Sequence, residues 1–296
     1  MTVASKASAR AAVLAARMLH DLRGVQLKGI VEARRVTVRL RSLVLAAFRR
    51  RGPLPDVRGI IHDALYRPMV EAMLESHQRG VRQSQQMVQQ AAVRASVYDE
   101  ARLRLERMQK ANLDQLQRAY QTESLKILNR VEDRVHNELQ KTVYELIGAG
   151  AHVREGVEVL RQKFDDLGLT EKNGFQLETI FRTQTQLAYG AGRWAADQDD
   201  AIQEILWGYE YSANGDDRTR PTHLAMDGTR LPKDDPFWKK CWPPNGWNCR
   251  CVTIQIFDDA GGVRKRPPPK YVDGDPVVPD KGFAFNAGNL VPRPVN

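Results

Sequence analysis

The chain has 296 residues, a formal net charge of +9, 42% apolar and 27% charged residues. Those values suit one large folded domain or two ordinary ones and exclude a mainly disordered chain. No run approaches 18 uncharged apolar residues, so no membrane span is expected, and an odd number of cysteines argues against a secreted disulfide framework.

The positive charge is concentrated at the start. Residues 1–52 carry twelve basic side chains against Asp21 and Glu32, a balance of +10, so the remainder of the chain sums to −1. The opening "MTVASKASARAAVLAARMLH" is Arg-rich and acid-poor like a transit peptide, but Arg17 interrupts its only apolar core, so it reads as mature protein made in the cytoplasm. Residues 8–50 are expected to be mainly helical, although "VTVRLRSLVL" also alternates like a strand and Gly24 and Gly29 weaken a helix. The densest basic positions, Arg34, Arg35, Arg39, Arg41, Arg49, Arg50 and Arg51, form a candidate surface for duplex DNA or an acidic protein. Phe48 is the arm's one aromatic residue, which argues against stacking on single-stranded bases.

Proline marks the next division. None lies between Pro68 and Pro221, whereas twelve of fifteen lie from Pro221 onward. The first region therefore permits long helices, and the second predicts turns, short strands and a tail. A helix is expected from about Asp56 to Arg94. A second follows over "YDEARLRL…YELIGAG", where Leu113, Leu116, Tyr120, Leu128, Val131, Val135, Leu139, Val143 and Leu146 share one stripe. At about 45 residues it would span roughly 65–70 Å and need a neighbouring helix or a second subunit to cover it. A shorter helix is predicted over Val153–Leu167, then another over "LETIFRTQTQLAYGAGRWAADQ", broken or closely packed at Gly190 and Gly192.

Beyond this the pattern shifts to β. "EILWGYEYSA" reads as a half-buried strand, "NGDDRTRP" as a turn, "THLAMDGTRLP" as a strand with a hairpin bend, and "CRCVTIQIF" as a closing strand. The expected organisation is a basic helical arm (1–52), a long-helix region (53–150), a small α+β domain with a short antiparallel sheet (151–259) and an extended Pro-rich tail (260–296). The tail is expected to be held only by contact with something else.

All three cysteines fall within "CWPPNGWNCRC". Together with His223, they supply the ligand types of a structural zinc site: His223, Cys241, Cys249 and Cys251. The spacing is against it, because Cys-x-Cys in a strand sends its side chains to opposite faces unless a bulge or turn at Arg250 converges them. Buried thiols in a Trp-rich corner are the plainer reading. "DDRTRPTH" sets Asp216, Asp217, Arg218, Arg220 and His223 close together. A metal-dependent nuclease can use two Asp and a His, but a capped, ion-paired turn explains the same residues. Arg182, Thr183 and Gln184 form a polar step on a packed helix, suited to bonding back to that turn.

In order, "FRTQTQLAYGAGRW", "WGYEYSANGDDRTRPTHLAMDGTRLP", "DDPFW", "PPNGWNCRC" and "KGFAFNAG" resemble the Mu F-like family of phage head morphogenesis proteins. The likeness covers about residues 175–288 and carries the motif positions Arg182, Thr183, Asp216, Arg218, Thr219, Arg220, His223, Asp227, Gly228, Pro243, Pro244, Asn248, Cys249, Arg250 and Cys251. Cys241 is outside the pattern, leaving Asp216 or Asp227 as the substitute fourth zinc ligand. The resemblance implies a non-enzymatic minor capsid protein of a tailed phage, in the virion head near the portal vertex. Its implied partners are the portal protein, other head proteins and packaged double-stranded DNA, with self-association through the long helices. The short tail after Ala260 is not expected to hold a further enzyme. Two alternatives stay open: a nucleic-acid-processing enzyme using Asp216, Asp217 and His223, and a zinc-stabilised DNA-binding module. No cofactor is required by the leading reading, and zinc at His223, Cys249 and Cys251 is its one candidate addition.

Overall fold

The computed structural model describes residues 3–90, 113–169, 175–257 and 265–290. The protein is α+β: long helices come first and a small antiparallel sheet lies toward the C-terminus. Helices α1 (Val3–Arg49), α2 (Val57–Gln90), α3 (Leu113–Gly148), α4 (Val153–Asp166) and α5 (Phe175–Asp197) are followed by α6 (Asp200–Ile205). Strand β1 (Leu206–Ser212), α7 (Pro221–Ala225), β2 (Arg230–Pro232), α8 (Phe237–Lys240) and β3 (Val252–Phe257) complete the sheet region. The residues fall into two compact units, one formed by Met1–Gly24, Met73–Ala119 and Thr183–Asn296, the other by Val25–Ala72 and Tyr120–Arg182. No helix among the described residues is long and apolar enough to cross a membrane.

The all-helical unit is organised by spacings of three and four. On α1, Val36, Leu40 and Val44 are buried while Val38 and Leu43 are exposed. Helical spacing thus overrides the strand-like alternation of "VTVRLRSLVL", because burying every fourth residue serves the packed face better than burying every second. Gly29 lies beneath the Phe181 ring and Gly156 beneath Phe48, so both glycines are sites of close ring packing. Asp56 accepts from Gly59 N at 3.2 Å and starts α2, which runs on through Pro68. On α3 the expected stripe is buried at Tyr120, Leu128, Val131, Val135, Leu139 and Val143. Its end follows the "GAG": Ala151 N bonds to Leu146 O at 3.0 Å, and Gly150 takes a positive φ of 65°. The expected extensions of α2 to Arg94 and of α3 back to Tyr98 lie outside the described residues.

In the other unit the sheet has the order β2-β1-β3, antiparallel throughout. Tyr209 stands opposite Leu231 on one side and Gln255 on the other. Tyr209 and Tyr211 are fully buried, and so are Trp238 and Trp242 on the following segment. Their rings meet edge-to-face: Tyr209 to Trp242 at 4.9 Å, Trp194 to Trp242 at 4.9 Å and Tyr209 to Trp238 at 5.4 Å. Each such pair is worth about 0.5–1.5 kcal/mol beyond its buried area. Trp242 Nε1 donates to Gly190 O at 3.1 Å and Trp238 Nε1 to Pro232 O at 3.0 Å, so neither indole N–H is left unpaired.

Two expectations need correction, and one short helix comes without a sequence expectation. "THLAMDGTRLP" begins as helix α7, because Pro221 at its first turn suits helix entry, and only Arg230–Pro232 is strand. "DDPFW" starts α8, with Asp235 Oδ1 accepting from Phe237 N at 2.9 Å. The tail residues 265–290 are held by their own unit. Arg266 bridges Arg230, Tyr271–Val272 pairs with Asp275–Pro276, and buried Asn286 donates to Trp238 O at 3.0 Å. Prolines forbid a long strand there but leave room for these short pairings.

Helix α5 is unbroken, and its glycines are points of close approach. A Cβ on Gly192 would collide with the backbone of His77, and one on Gly80 with the backbone of Tyr189. Backbone cannot step aside as a flexible side chain can. Gly192→Val or Gly80→Val should therefore lower stability by about 1–3 kcal/mol or more in urea unfolding. Gly148→Ala, where an added Cβ meets nothing within 4 Å, should leave the midpoint within experimental error.

Candidate functional site

The motif residues converge around the segment that precedes β3. Its course is set by the Pro243–Pro244 cis bond, by Asn245, and by Asn248 with a positive φ of 57°. Asn245 is fully buried and donates to both Tyr211 Oη at 3.0 Å and Cys241 O at 3.1 Å. Cys249 N bonds back to Gly246 O at 3.2 Å. Cys249 and Cys251 consequently lie ahead of β3, outside strand geometry, and the alternation that would separate their sulfurs does not operate. The turn sits at Asn248, upstream of the Arg250 position expected from spacing.

Helix α5 holds this segment from one side. Asn248 N donates to Thr183 Oγ1 at 3.0 Å, Gln186 Nε2 to Cys251 O at 3.1 Å, and Arg193 to Thr253 O. With Gly190, which accepts from Trp242, these positions advance by three and four residues along one helix face. The polar step at Thr183 therefore ties the helix to the Asn-Cys-Arg-Cys segment. Gln184 is buried on the same helix, and Arg182 pairs with Glu178 at 3.3 Å in the helical unit.

The "DDRTR" turn holds it from the other side. Arg250 makes a two-pronged pair with Asp216, both N···O distances being 2.6 Å. Asp216 also accepts from Arg218 N and Thr219 Oγ1, each at 3.2 Å. The Arg250 guanidinium holds the Asp216 carboxyl well below the usual carboxylate range. Arg220 donates to Trp247 O at 2.8 Å and pairs with Asp280 at 3.2 Å, while the exposed Arg218 lies 3.6 Å from the Asp216 carboxylate. Asp227 accepts from Ala213 N at 2.7 Å, and Gly228, at a φ of 69°, carries the bend into β2.

Within this frame His223 is buried on α7 with its Nδ1 3.7 Å from Cys249 Sγ and 3.6 Å from Cys251 Sγ. These three donor atoms lie within 4.8 Å of one another. The hydrogen bond from the Cys251 thiol and the neighbouring His223 favour ionisation of Cys249, and Cys251 is correspondingly pushed up. Cys241 stands outside the group, its thiol raised to about 11 by burial. His223 Nε2 faces Asp280 Oδ1 at 3.8 Å. Neither Asp216 nor Asp217 belongs to the metal-type group among the described residues: Asp216 is committed to Arg250, and His223 faces sulfur.

The basic arm residues are dispersed. Arg34 pairs with Glu178 at 2.7 Å and Arg35 with Glu32. Arg41 bonds Asp165 and Leu169 O, each at 3.3 Å, and lies over the Phe164 ring, while Arg51 reaches Ala151 O at 3.5 Å. Arg39, Arg49 and Arg50 are exposed. Asn245, Tyr211, Gln186 and Asp280 were missed as site residues. Asn245 stands inside the quoted motif and was legible as a polar residue next to prolines, whereas Asp280 carries no spacing cue.

Residues 137–254 match the family model described as Phage Mu protein F like protein. The chain is 34% identical over 119 residues to the Mu-like prophage FluMu F protein of Haemophilus influenzae, covering 36% of this chain and 28% of that protein. It is 45% identical over 76 residues to protein F of Escherichia phage Mu, whose name assigns it to capsid assembly, covering 26% of this chain and 17% of that protein. The chain thus spans less than a third of either relative's own length. No solved structure matches it.

Because Asp216 is more acidic folded than unfolded, its contribution to stability is present above the unfolded carboxylate value and lost as pH falls below it. Between about pH 5 and pH 3, wild type should lose more stability than Asp216→Asn, measured by urea midpoints across that range. Parallel curves would show that the pair with Arg250 contributes nothing.

Proposed function

We propose, from the match of residues 137–254 to the Mu F-like family model, that the chain is a phage head assembly protein, carried in the virion head as a minor component. The observation that carries the reading is the coincidence of the matched segment with the residues that tie α5, α7 and the Cys-Arg-Cys segment into one cluster. The matched segment thus includes the residues that frame the small domain.

That framework suits a structural part better than a catalytic one. Asp216 is ion-paired with Arg250, and Arg220 is ion-paired with Asp280 of the tail, in the manner of a rigid support. A position near the portal vertex follows from the same proposal, with portal and other head proteins as partners. Arg39, Arg49 and Arg50 are among the exposed basic residues of the α1 region that could meet packaged DNA. A backbone contact of that kind would weaken steeply with salt.

Deleting the coding sequence from the phage that carries it should give aberrant or non-infectious heads, with the protein present at low copy in complete virions by mass spectrometry. Unchanged head assembly, virion composition and infectivity would overturn the proposal. A virion reconstruction without imposed symmetry tests the portal placement separately, through density for long helices at the unique vertex.

A further inference from the structure

The geometry points to a zinc site: we propose that His223 Nδ1, Cys249 Sγ and Cys251 Sγ bind one Zn²⁺, with Asp280 orienting the imidazole from its other nitrogen. This goes beyond the head-assembly reading and stands independently of it.

The first support is distance. A tetrahedral zinc with its usual bonds to sulfur and nitrogen places each S and N about 3.6 Å apart. The two S···N separations here are 3.7 and 3.6 Å. They share the same ring nitrogen, and all three donor atoms lie within 4.8 Å of one another. Three thiol and imidazole donors are supplied by the chain, and a water molecule completes a tetrahedron.

The second support is the state of the ring. His223 is 2% exposed, and its Nε2 has no hydrogen-bond partner. In a metal-free neutral ring the sulfurs compete for one nitrogen while the other is left buried without a bond, which costs free energy. With Nδ1 on a metal, the proton must reside on Nε2. There Asp280 Oδ1 lies 3.8 Å away, close enough for a small shift or a bridging water to complete the carboxylate–histidine–metal arrangement that fixes the tautomer. Asp280 is itself anchored, through its N–H to Asn245 O at 2.9 Å and its carboxylate to Arg220 at 3.2 Å.

The third support is the surrounding shell. Tyr211 hydrogen-bonds Cys251 and Gln186 bonds the Cys251 carbonyl, so the segment is held in place before any ion arrives. Asp216 and Asp227 are engaged elsewhere, with Arg250 and with Ala213 N.

The test uses the full chain purified under reducing conditions without chelator. Elemental analysis should give about one zinc per chain. Replacement by Co²⁺ should produce sulfur-to-cobalt charge transfer in the near ultraviolet and the intense visible bands of a tetrahedral ion. Chelation should lower the melting temperature by about 10 °C. Cys249→Ser, Cys251→Ser and His223→Ala should each abolish stoichiometric binding, and Cys241→Ser should not. Asp280→Ala should weaken zinc affinity about 10–100-fold and shift the cobalt bands, and Asp280→Asn, which keeps an acceptor oxygen, should recover part of the loss. Should a variant fail to fold, the wild-type metal content and cobalt spectrum decide. Zinc well below one per chain even after incubation with zinc sulfate, with all cysteines titrating as free thiols and no cobalt charge-transfer band, overturns the proposal. So does loss of the metal in Cys241→Ser.

Discussion

One face of helix α5 governs the C-terminal unit. Thr183, Gln186, Gly190 and Arg193 succeed one another by three, four and three residues, and each receives or gives a hydrogen bond to the stretch between Trp242 and Thr253. The stretch has little regular structure, so its backbone groups must find partners outside a ladder. Burying it without those partners would cost about 1–3 kcal/mol for each unpaired group. The helix provides those partners while β3 continues into the sheet. Gly190 and Gly192 let that helix be approached closely, by the Pro243 carbonyl at one glycine and by the α2 backbone at the other.

From that docking the remaining geometry follows. Once Asn248 is held by Thr183, Arg250 can reach the Asp216 turn and the two cysteines can face the same ring of His223. The ion pair at Asp216 is half-exposed, so its value lies more in orientation than in bulk stabilisation. Asp280 links the tail to this group through Asn245 and Arg220, which is why a Pro-rich segment with almost no secondary structure still lies against its own domain. The aromatic rings of Trp194, Tyr209, Trp238 and Trp242 close the opposite side and leave the buried polar groups a dry, packed surrounding.

The family match covers residues 137–254 and leaves the rest of the chain to individual argument. The matched segment begins within α3, runs through α4 and α5, and ends in β3. The basic N-terminal region lies outside it. Of the seven arginines singled out there, Arg34, Arg35, Arg41 and Arg51 bond within the chain. Arg34, Arg35 and Arg51 nevertheless stay exposed, because long cationic side chains can bond within the chain while their heads remain in water.

Read alone, the amino-acid sequence determined the helices of α1 to α5 and strands β1 and β3, while the motif positions came from the family resemblance. Spacings of three and four, aromatic alternation and the break at Pro221 are local signals that survive in any packing. It also named His223, Cys249 and Cys251 while judging their spacing unfavourable. Only tertiary structure decided the rest: that α1 buries Val36, Leu40 and Val44, that the tail packs back, that Asp216 belongs to Arg250, and that the cysteines converge. The reason is common to all four. Each depends on a partner far away in the chain, Thr183 for Asn248 or Asp280 for His223, and no local propensity records which distant side chain will be there.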